Sequence, residues 1–260
     1  MRFKSLMVGA ACLAVATLWL GAFPTAGFAL TSANLLLNPD ASIGTGIDHG
    51  STVADWTVGG DTSPGRDDGT FDGFTPPASK YDFYGGSSLG GIAADSGSLS
   101  QVVNLLASGT GLTAANIDAG TDSFNVSFYE QSLLQGTPPN DEAEVLISFQ
   151  NGSDATIAGG YNSGQLSNTG GWLFVDPKAI TIPAGARQMT YEMLFTLQYG
   201  LDVDSFIASN DLTTSTTAGV TTNPGGGTPV VPLPSSFWMG AIGMLGLASI
   251  SFLRRKSAWL

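Results

Sequence analysis

The residue types that could carry out chemistry are few in this chain, and carboxylates dominate them. The only histidine, His49, lies in a glycine-rich stretch, and the only cysteine, Cys12, lies in an apolar N-terminal segment. The stretch GSSLG (86–90) has the Gly-x-Ser-x-Gly spacing of a serine nucleophile, but that chemistry needs a histidine base downstream and none follows. The sequence therefore predicts neither a serine nor a cysteine nucleophile.

Glycoside hydrolysis needs only a pair of carboxylates, and the 21 Asp and Glu residues supply many pairs. No pattern in the sequence distinguishes one of them as a buried general acid. We therefore interpret the chain as non-enzymatic and rank a glycoside hydrolase last among the alternatives.

Acidic residues in turn-rich segments suit hard cations, which bind several carboxylate and carbonyl oxygens. Two such segments are RDDGTFDG (66–73) and GLDVDS (200–205), and neither has the spacing of an EF-hand loop. Within a strand, Asp202 and Asp204 lie on the same face, so they either converge on an ion or face solvent.

Exposed aromatic side chains could stack on sugar rings, and polar neighbours could bond the hydroxyl groups. Trp172 and Tyr161 lie in the Gly- and Asn-rich stretch GGYNSGQLSNTGGWLF (159–174), which favours exposure. A turn-rich loop without a ligand explains the same stretch. Trp56, in VADWTV, is predicted to lie in the core.

The charge of the chain excludes one class of partner. Two of the nine Lys and Arg residues lie near the N-terminus and three near the C-terminus, so the body carries 4 − 21 = −17. A nucleic-acid-binding protein needs a basic surface, so no nucleic-acid partner is expected.

The middle of the chain alternates short β-type runs with turn clusters and shows no helical period. In FNVSFYE (124–130), Phe124, Val126 and Phe128 share one side of a strand, and Tyr129 lies on the other. The pattern predicts an all-β fold, an antiparallel β-sandwich of jelly-roll type. The predicted strands cover 34–38, 51–58, 80–85, 97–105, 122–131, 142–150, 178–183, 187–198 and 202–212.

Both ends of the chain differ from this body. Residues 1–29 have the basic, apolar and small-residue regions of a signal peptide. Residues 213–230 form a Thr/Gly/Pro-rich linker, predicted to be disordered, after the domain at 30–212. Residues 237–253 carry no charge and would span about 25 Å as a helix, enough for a transmembrane segment.

The last thirty residues, 231–260, combine a proline motif, the apolar helix and a basic end. They resemble the PEP-CTERM sorting signal of bacterial envelope proteins, whose usual motif is Val-Pro-Glu-Pro, with Leu at the Glu position here. The resemblance implies that an exosortase is a partner, that the chain is processed near the proline motif, and that its body reaches the envelope or matrix. The residues that carry this resemblance are Val231, Pro232, Leu233, Pro234, Arg254, Arg255 and Lys256.

The body resembles, more weakly, the galactose-binding-like jelly-roll domains. The stretches that carry this resemblance are ANLLLNPDAS (33–42), GSLSQVVNL (97–105), FNVSFYEQ (124–131) and GLDVDSFIASNDL (200–212). The resemblance implies a structural calcium near one end of the sandwich, with Asn38, Asp40 and Asp204 as its ligands, so calcium is the candidate cofactor.

The sequence thus predicts an exported, non-enzymatic component of the cell envelope or extracellular matrix. Until it is processed, the membrane helix would hold it at the cell surface. The predicted partners are an exosortase and extracellular polysaccharide. A lectin-like carbohydrate-binding module, stabilised by calcium, is the alternative.

Overall fold

A computed structural model describes residues 29–217 except 49, 71–72, 88–94 and 137. Within these residues the chain forms thirteen strands and one short helix, so the predicted all-β class is confirmed. In chain order the elements are β1 (Ala29–Thr31), β2 (Gly44–Thr45), β3 (Thr52–Val53), β4 (Thr57–Gly60), β5 (Gly65–Asp67), β6 (Asp82–Ser87), β7 (Ser96–Asn104), α1 (Ala114–Asp118), β8 (Asp122–Ser132), β9 (Glu142–Gln150), β10 (Thr156–Asn162), β11 (Leu173–Thr181), β12 (Gln188–Thr196) and β13 (Asp202–Thr217).

Two antiparallel sheets form the predicted sandwich. The first sheet has the order β11-β8-β13-β6-β5, with β1 also paired to β13. The second sheet has the order β10-β9-β12-β7-β4, and β2 pairs only with β3. Neighbours in these sheets are often far apart in sequence, so tertiary packing decides which strands meet.

Strict alternation of apolar and polar residues builds the core between the sheets. In both β9 and β12, buried and half-buried residues alternate at every position. The rings of Phe124 in β8 and Phe149 in β9 stack across the sandwich with centroids 6.0 Å apart. Each such ring removed from water contributes roughly 1.5–3 kcal/mol.

Several strand predictions agree closely with the structure, and two do not: residues 51–58 divide into β3 and β4 around a turn at 54–55, and residues 34–38 form no strand. The predicted strand 142–150 is β9 itself, whereas residues 34–38, also predicted as a strand, form a bent segment. The backbone of this segment is bonded by side chains instead: the amide of Gln101 accepts from Leu37 N–H and donates to its carbonyl. Residues 213–217, predicted to begin the linker, complete β13 by pairing with β8 and β1.

Asn38 organises the loop that follows this bent segment. Its side-chain amide donates to the carbonyls of Ile43 and Ala54 at 2.8 and 2.9 Å, and its side-chain oxygen accepts from Ile43 N–H at 2.8 Å. Its φ of 47° lies in the left-handed region, which Asn tolerates better than most residues. The buried Asn38 side chain therefore takes the place of strand pairing in this loop.

Two further side chains fasten the same loop to the core. Trp56 is buried as predicted, packs edge-on against Phe83 at 5.0 Å, and donates its indole N–H to the Asn38 carbonyl at 3.1 Å. The buried Arg66 guanidinium donates to the carbonyls of Ala41 and Gly46. The loop is thus fixed by side chains that come from distant parts of the sequence.

The predicted signal peptide except Ala29, the greater part of the predicted linker and the predicted sorting tail at 231–260 lie outside the described residues. His49 and Ser88 also lie outside them. No helix within the described residues has the length and hydrophobicity needed to cross a membrane.

The Asn38 loop generates a stability prediction. Asn38→Asp keeps the acceptor oxygen but removes the two amide donors, which leaves the carbonyls of Ile43 and Ala54 without their partner. We expect a loss of about 2–3 kcal/mol in the free energy of unfolding, measured by urea denaturation. In the same loop, Asp40→Asn is the control, since Asp40 accepts only a 3.3 Å bond from Ser42 N–H, and its effect should stay below about 0.5 kcal/mol. Equal effects of the two substitutions would contradict the assigned role.

Candidate functional site

Three aromatic side chains lie at one edge of the first sheet, where Tyr129 contacts Phe174 and Trp172 lies two residues before Phe174, and we name Tyr129, Trp172 and Phe174 the aromatic patch. Tyr129 in β8 pairs directly with Phe174 in β11, the edge strand. Because Phe128 points into the core, its neighbour Tyr129 points outward, and its partner Phe174 lies on the same outer face. Trp172 immediately precedes β11.

The aromatic patch is both exposed and held in place. The rings of Tyr129 and Phe174 lie 4.9 Å apart at an angle of 42°, and Phe174 remains 43% exposed. Trp172 is partly exposed, and its indole N–H donates to the Thr75 carbonyl at 2.9 Å. Each of the three rings is therefore positioned by strand pairing or by a defined hydrogen bond before any ligand arrives.

The neighbouring part of this outer face is covered. Tyr84 and Phe206 are stacked with centroids 5.4 Å apart, and both are fully buried. Phe74 packs edge-on against Phe206 at 5.6 Å. The aromatic patch is therefore the part of this aromatic face that remains open to solvent.

A buried carboxyl, Glu130, supports the loop that leads to Trp172. Ser132 Oγ donates to Glu130 Oε1 at 2.9 Å, and the Asn168 N–H donates to both carboxylate oxygens at 3.2 and 3.3 Å. The Ser132 N–H donates in turn to the Asn168 carbonyl at 2.8 Å. These bonds attach the loop between β10 and β11 to the end of β8.

Burial raises the pKa of Glu130 to about 7, while the bonds from Ser132 and Asn168 act in the opposite direction. A catalytic general acid needs a carboxyl pKa raised in this way. No sequence pattern indicated that Glu130 has this property. The side chain, however, is fully buried and faces the core side of β8. Its contacts give it a role in holding the loop rather than in meeting a substrate.

The other predicted sugar-stacking residue, Tyr161, lies elsewhere. It pairs with Ile147 in β9 on the core side of the second sheet and packs against the core. Burial raises the pKa of its hydroxyl. The structure therefore does not bring Tyr161 and Trp172 onto one face, and Trp172 lies two residues before Phe174 of the Tyr129–Phe174 pair.

The predicted calcium ligands fall at two places. Asn38 and Asp40 lie in the loop beside Asn210, whose N–H donates to the Pro39 carbonyl at 3.1 Å. Asp204 lies six residues before Asn210 on β13, which corresponds to about 20 Å along the strand. There its N–H donates to Asp141 Oδ2 at 2.8 Å. Within the described part of the chain, no three His, Cys, Asp or Glu residues are grouped to hold a metal ion.

Comparison with protein-family models and with curated protein sequences finds no match. Among solved structures, an apo cyclase from Fischerella sp. is similar with a TM-score of 0.48 and 9% identity, over 73% of this chain and 98% of that one. The Family 16 Carbohydrate Binding Module-2 gives a TM-score of 0.42 and 12% identity, over 69% of this chain and 99% of that one.

The enzymatically active domain of the bacteriophage CBA120 tailspike protein 4 is similar with a TM-score of 0.47 and 10% identity. The match covers 69% of this chain, which spans 21% of the tailspike chain. A role in binding must therefore be argued from the side chains of this protein and not from these structural similarities.

The buried Glu130 generates a prediction of pH dependence. Its folded-state pKa of about 7 lies above the ordinary value of 4.5, so its stabilising contribution is complete below pH 4.5 and is lost as pH rises through 7. Glu130→Gln cannot ionise. Between pH 5 and pH 8 the unfolding free energy of the wild type should therefore fall by up to about 3 kcal/mol more than that of the variant. Parallel pH profiles in urea denaturation would contradict the assigned pKa.

Proposed function

We propose that this protein is an exported, non-catalytic component of the cell envelope or extracellular matrix whose β-sandwich binds polysaccharide. The observation that carries the binding role is the exposed aromatic patch. Export and processing rest on the composition of the two chain ends and on their resemblance to a sorted envelope protein.

The geometry of the aromatic patch suits a sugar ring. An aromatic face is apolar and polarisable, and it can cover the C–H face of a pyranose while the sugar hydroxyls stay in water. Tyr129 adds a hydroxyl group at the edge of its ring, whereas the Trp172 N–H already donates to the Thr75 carbonyl. The patch lies on paired strands, so little conformational freedom is lost when a ligand binds.

Charge also favours a glycan over nucleic acid as the partner. Only Arg66, Lys80, Lys178 and Arg187 carry positive charge between residues 30 and 217, against 21 carboxylates. Arg66 is buried, and Arg187 is engaged with Asp118 at 2.9 Å. A phosphate backbone would find no basic surface here.

The tail accounts for how such a domain reaches its ligand. A signal peptide exports the chain, the apolar helix holds it in the membrane, and an exosortase cuts near Pro232–Pro234 so that the sandwich joins the matrix. The strongly acidic surface keeps the exported domain soluble once it is free.

The binding role predicts a selective loss of affinity in Phe174→Ala. Removing this ring from the patch should weaken retention on soluble matrix polysaccharide from the native host by roughly tenfold, measured by affinity electrophoresis of the full chain in mild detergent. Tyr199→Ala is the matched control, because Tyr199 is 55% exposed and lies outside the patch. The absence of retention in the wild type, or equal losses in both variants, would refute polysaccharide binding at the patch.

The sorting role predicts a shortened chain in the native host. Intact mass spectrometry should find a C-terminus near Pro234 in the wild-type strain and the full tail in a strain without the exosortase. Retention of Leu260 in both strains would identify an ordinary tail anchor and end the proposal of processing.

A further inference from the structure

Within the described residues, carboxylates are the charged groups that lie beside the aromatic patch. Asp176 and Pro177 form a bulge in β11 between Val175 and Lys178, so Asp176 is exposed two residues after Phe174. Along β11, two residues correspond to about 7 Å, which is within the reach of a sugar chain that stacks on Phe174.

A second carboxylate approaches the patch from the opposite neighbouring strand. Asp211 in β13 pairs with Ser127, which precedes Tyr129 by two residues and shares its outer face. Asp211 is exposed. The Tyr129–Phe174 pair therefore has an exposed carboxylate next to it on β11 and another on β13.

The positive charges lie on other parts of the domain. Lys178 pairs with Val126, whose side chain points into the core, so Lys178 belongs to the opposite face of β11 from the patch. Lys80 precedes β6, which β13 separates from β8, and its ammonium group donates to the Tyr81 hydroxyl at 3.0 Å. Within the described residues, neither Lys178 nor Lys80 lies beside the Tyr129–Phe174 pair to balance the carboxylates of a uronic acid.

Resting on the proposed polysaccharide binding, we propose that the patch selects glycans that contain free amino sugars, with Asp176 and Asp211 accepting charge-assisted hydrogen bonds from the protonated amine. The rings of the patch supply the stacking surface that any hexose can use. The two carboxylates add a preference for a cation and repel acidic sugars.

The test uses three hexasaccharides of equal length with the full chain in mild detergent at pH 6 and physiological salt, which screens charges beyond about 8 Å. The probes are the glucosamine, N-acetylglucosamine and galacturonate hexamers, which are cationic, neutral and anionic. We expect the glucosamine hexamer to bind roughly three- to tenfold more tightly than the neutral one, as two exposed ion pairs allow, and the galacturonate hexamer to bind most weakly.

A double substitution separates recognition by the patch from general attraction to an acidic protein. Asp176→Asn with Asp211→Asn should remove the preference and leave the Kd of the neutral hexamer within about twofold. The control is Glu144→Gln with Glu192→Gln, which removes the same two negative charges from the outer face of the second sheet. In this control the preference for the glucosamine hexamer should persist.

The outcomes separate the two proposals. Binding of the neutral or acidic hexamer at least as tightly as the amino-sugar hexamer overturns the selectivity and leaves polysaccharide binding intact. Equal loss of the preference in both double variants also overturns it, by showing unspecific charge attraction. If no hexamer binds while matrix polysaccharide is still retained through Phe174, only the selectivity fails. If neither binds, the proposed function itself fails.

Discussion

The contact between the two sheets is the interaction on which the rest of this structure depends. The only cysteine lies at position 12, outside the sandwich, so no disulfide joins the sheets and the buried side chains must hold them together. Phe124 and Phe149 show how this works, because each comes from a different sheet and the two stack in the middle. Once alternate side chains of each strand are committed to this core, the remaining ones face outward and are available for binding.

Polar groups, rather than further apolar ones, close one end of the core. Asp141 is fully buried, and its carboxylate accepts from the N–H groups of Gln198, Tyr199 and Asp204. Glu130 does the same for the loop that leads to the aromatic patch. A buried carboxyl without such donors would cost several kcal/mol, so these loops and carboxyls stabilise each other. The conformation of the exposed patch is thereby linked to groups that no ligand touches.

The placement of the patch on strands has a functional consequence. Phe174 and Tyr129 are positioned by backbone pairing across β8 and β11, whereas long loops would have to be ordered by the ligand. A preformed aromatic surface with carboxylates around it fits a partner that is extended, hydroxyl-rich and not acidic. The acidity that argues against nucleic acid is also the basis of the proposed preference among glycans.

The sequence by itself determined the sandwich, the burial of Trp56 and the placement of Tyr129 on the face opposite Phe128, because alternation is local and readable along one strand. It also determined the charge that excludes nucleic acid. It did not reveal β10 or the first half of β11, since the glycines within β10 and shortly before β11 resemble a loop. It also placed a strand at 34–38, where Asn and Gln side chains bond the backbone. Only the tertiary structure decided that Phe174 lies beside Tyr129 and that Glu130 is buried. Strand pairing and burial depend on residues tens of positions away in the chain, and no local pattern records them.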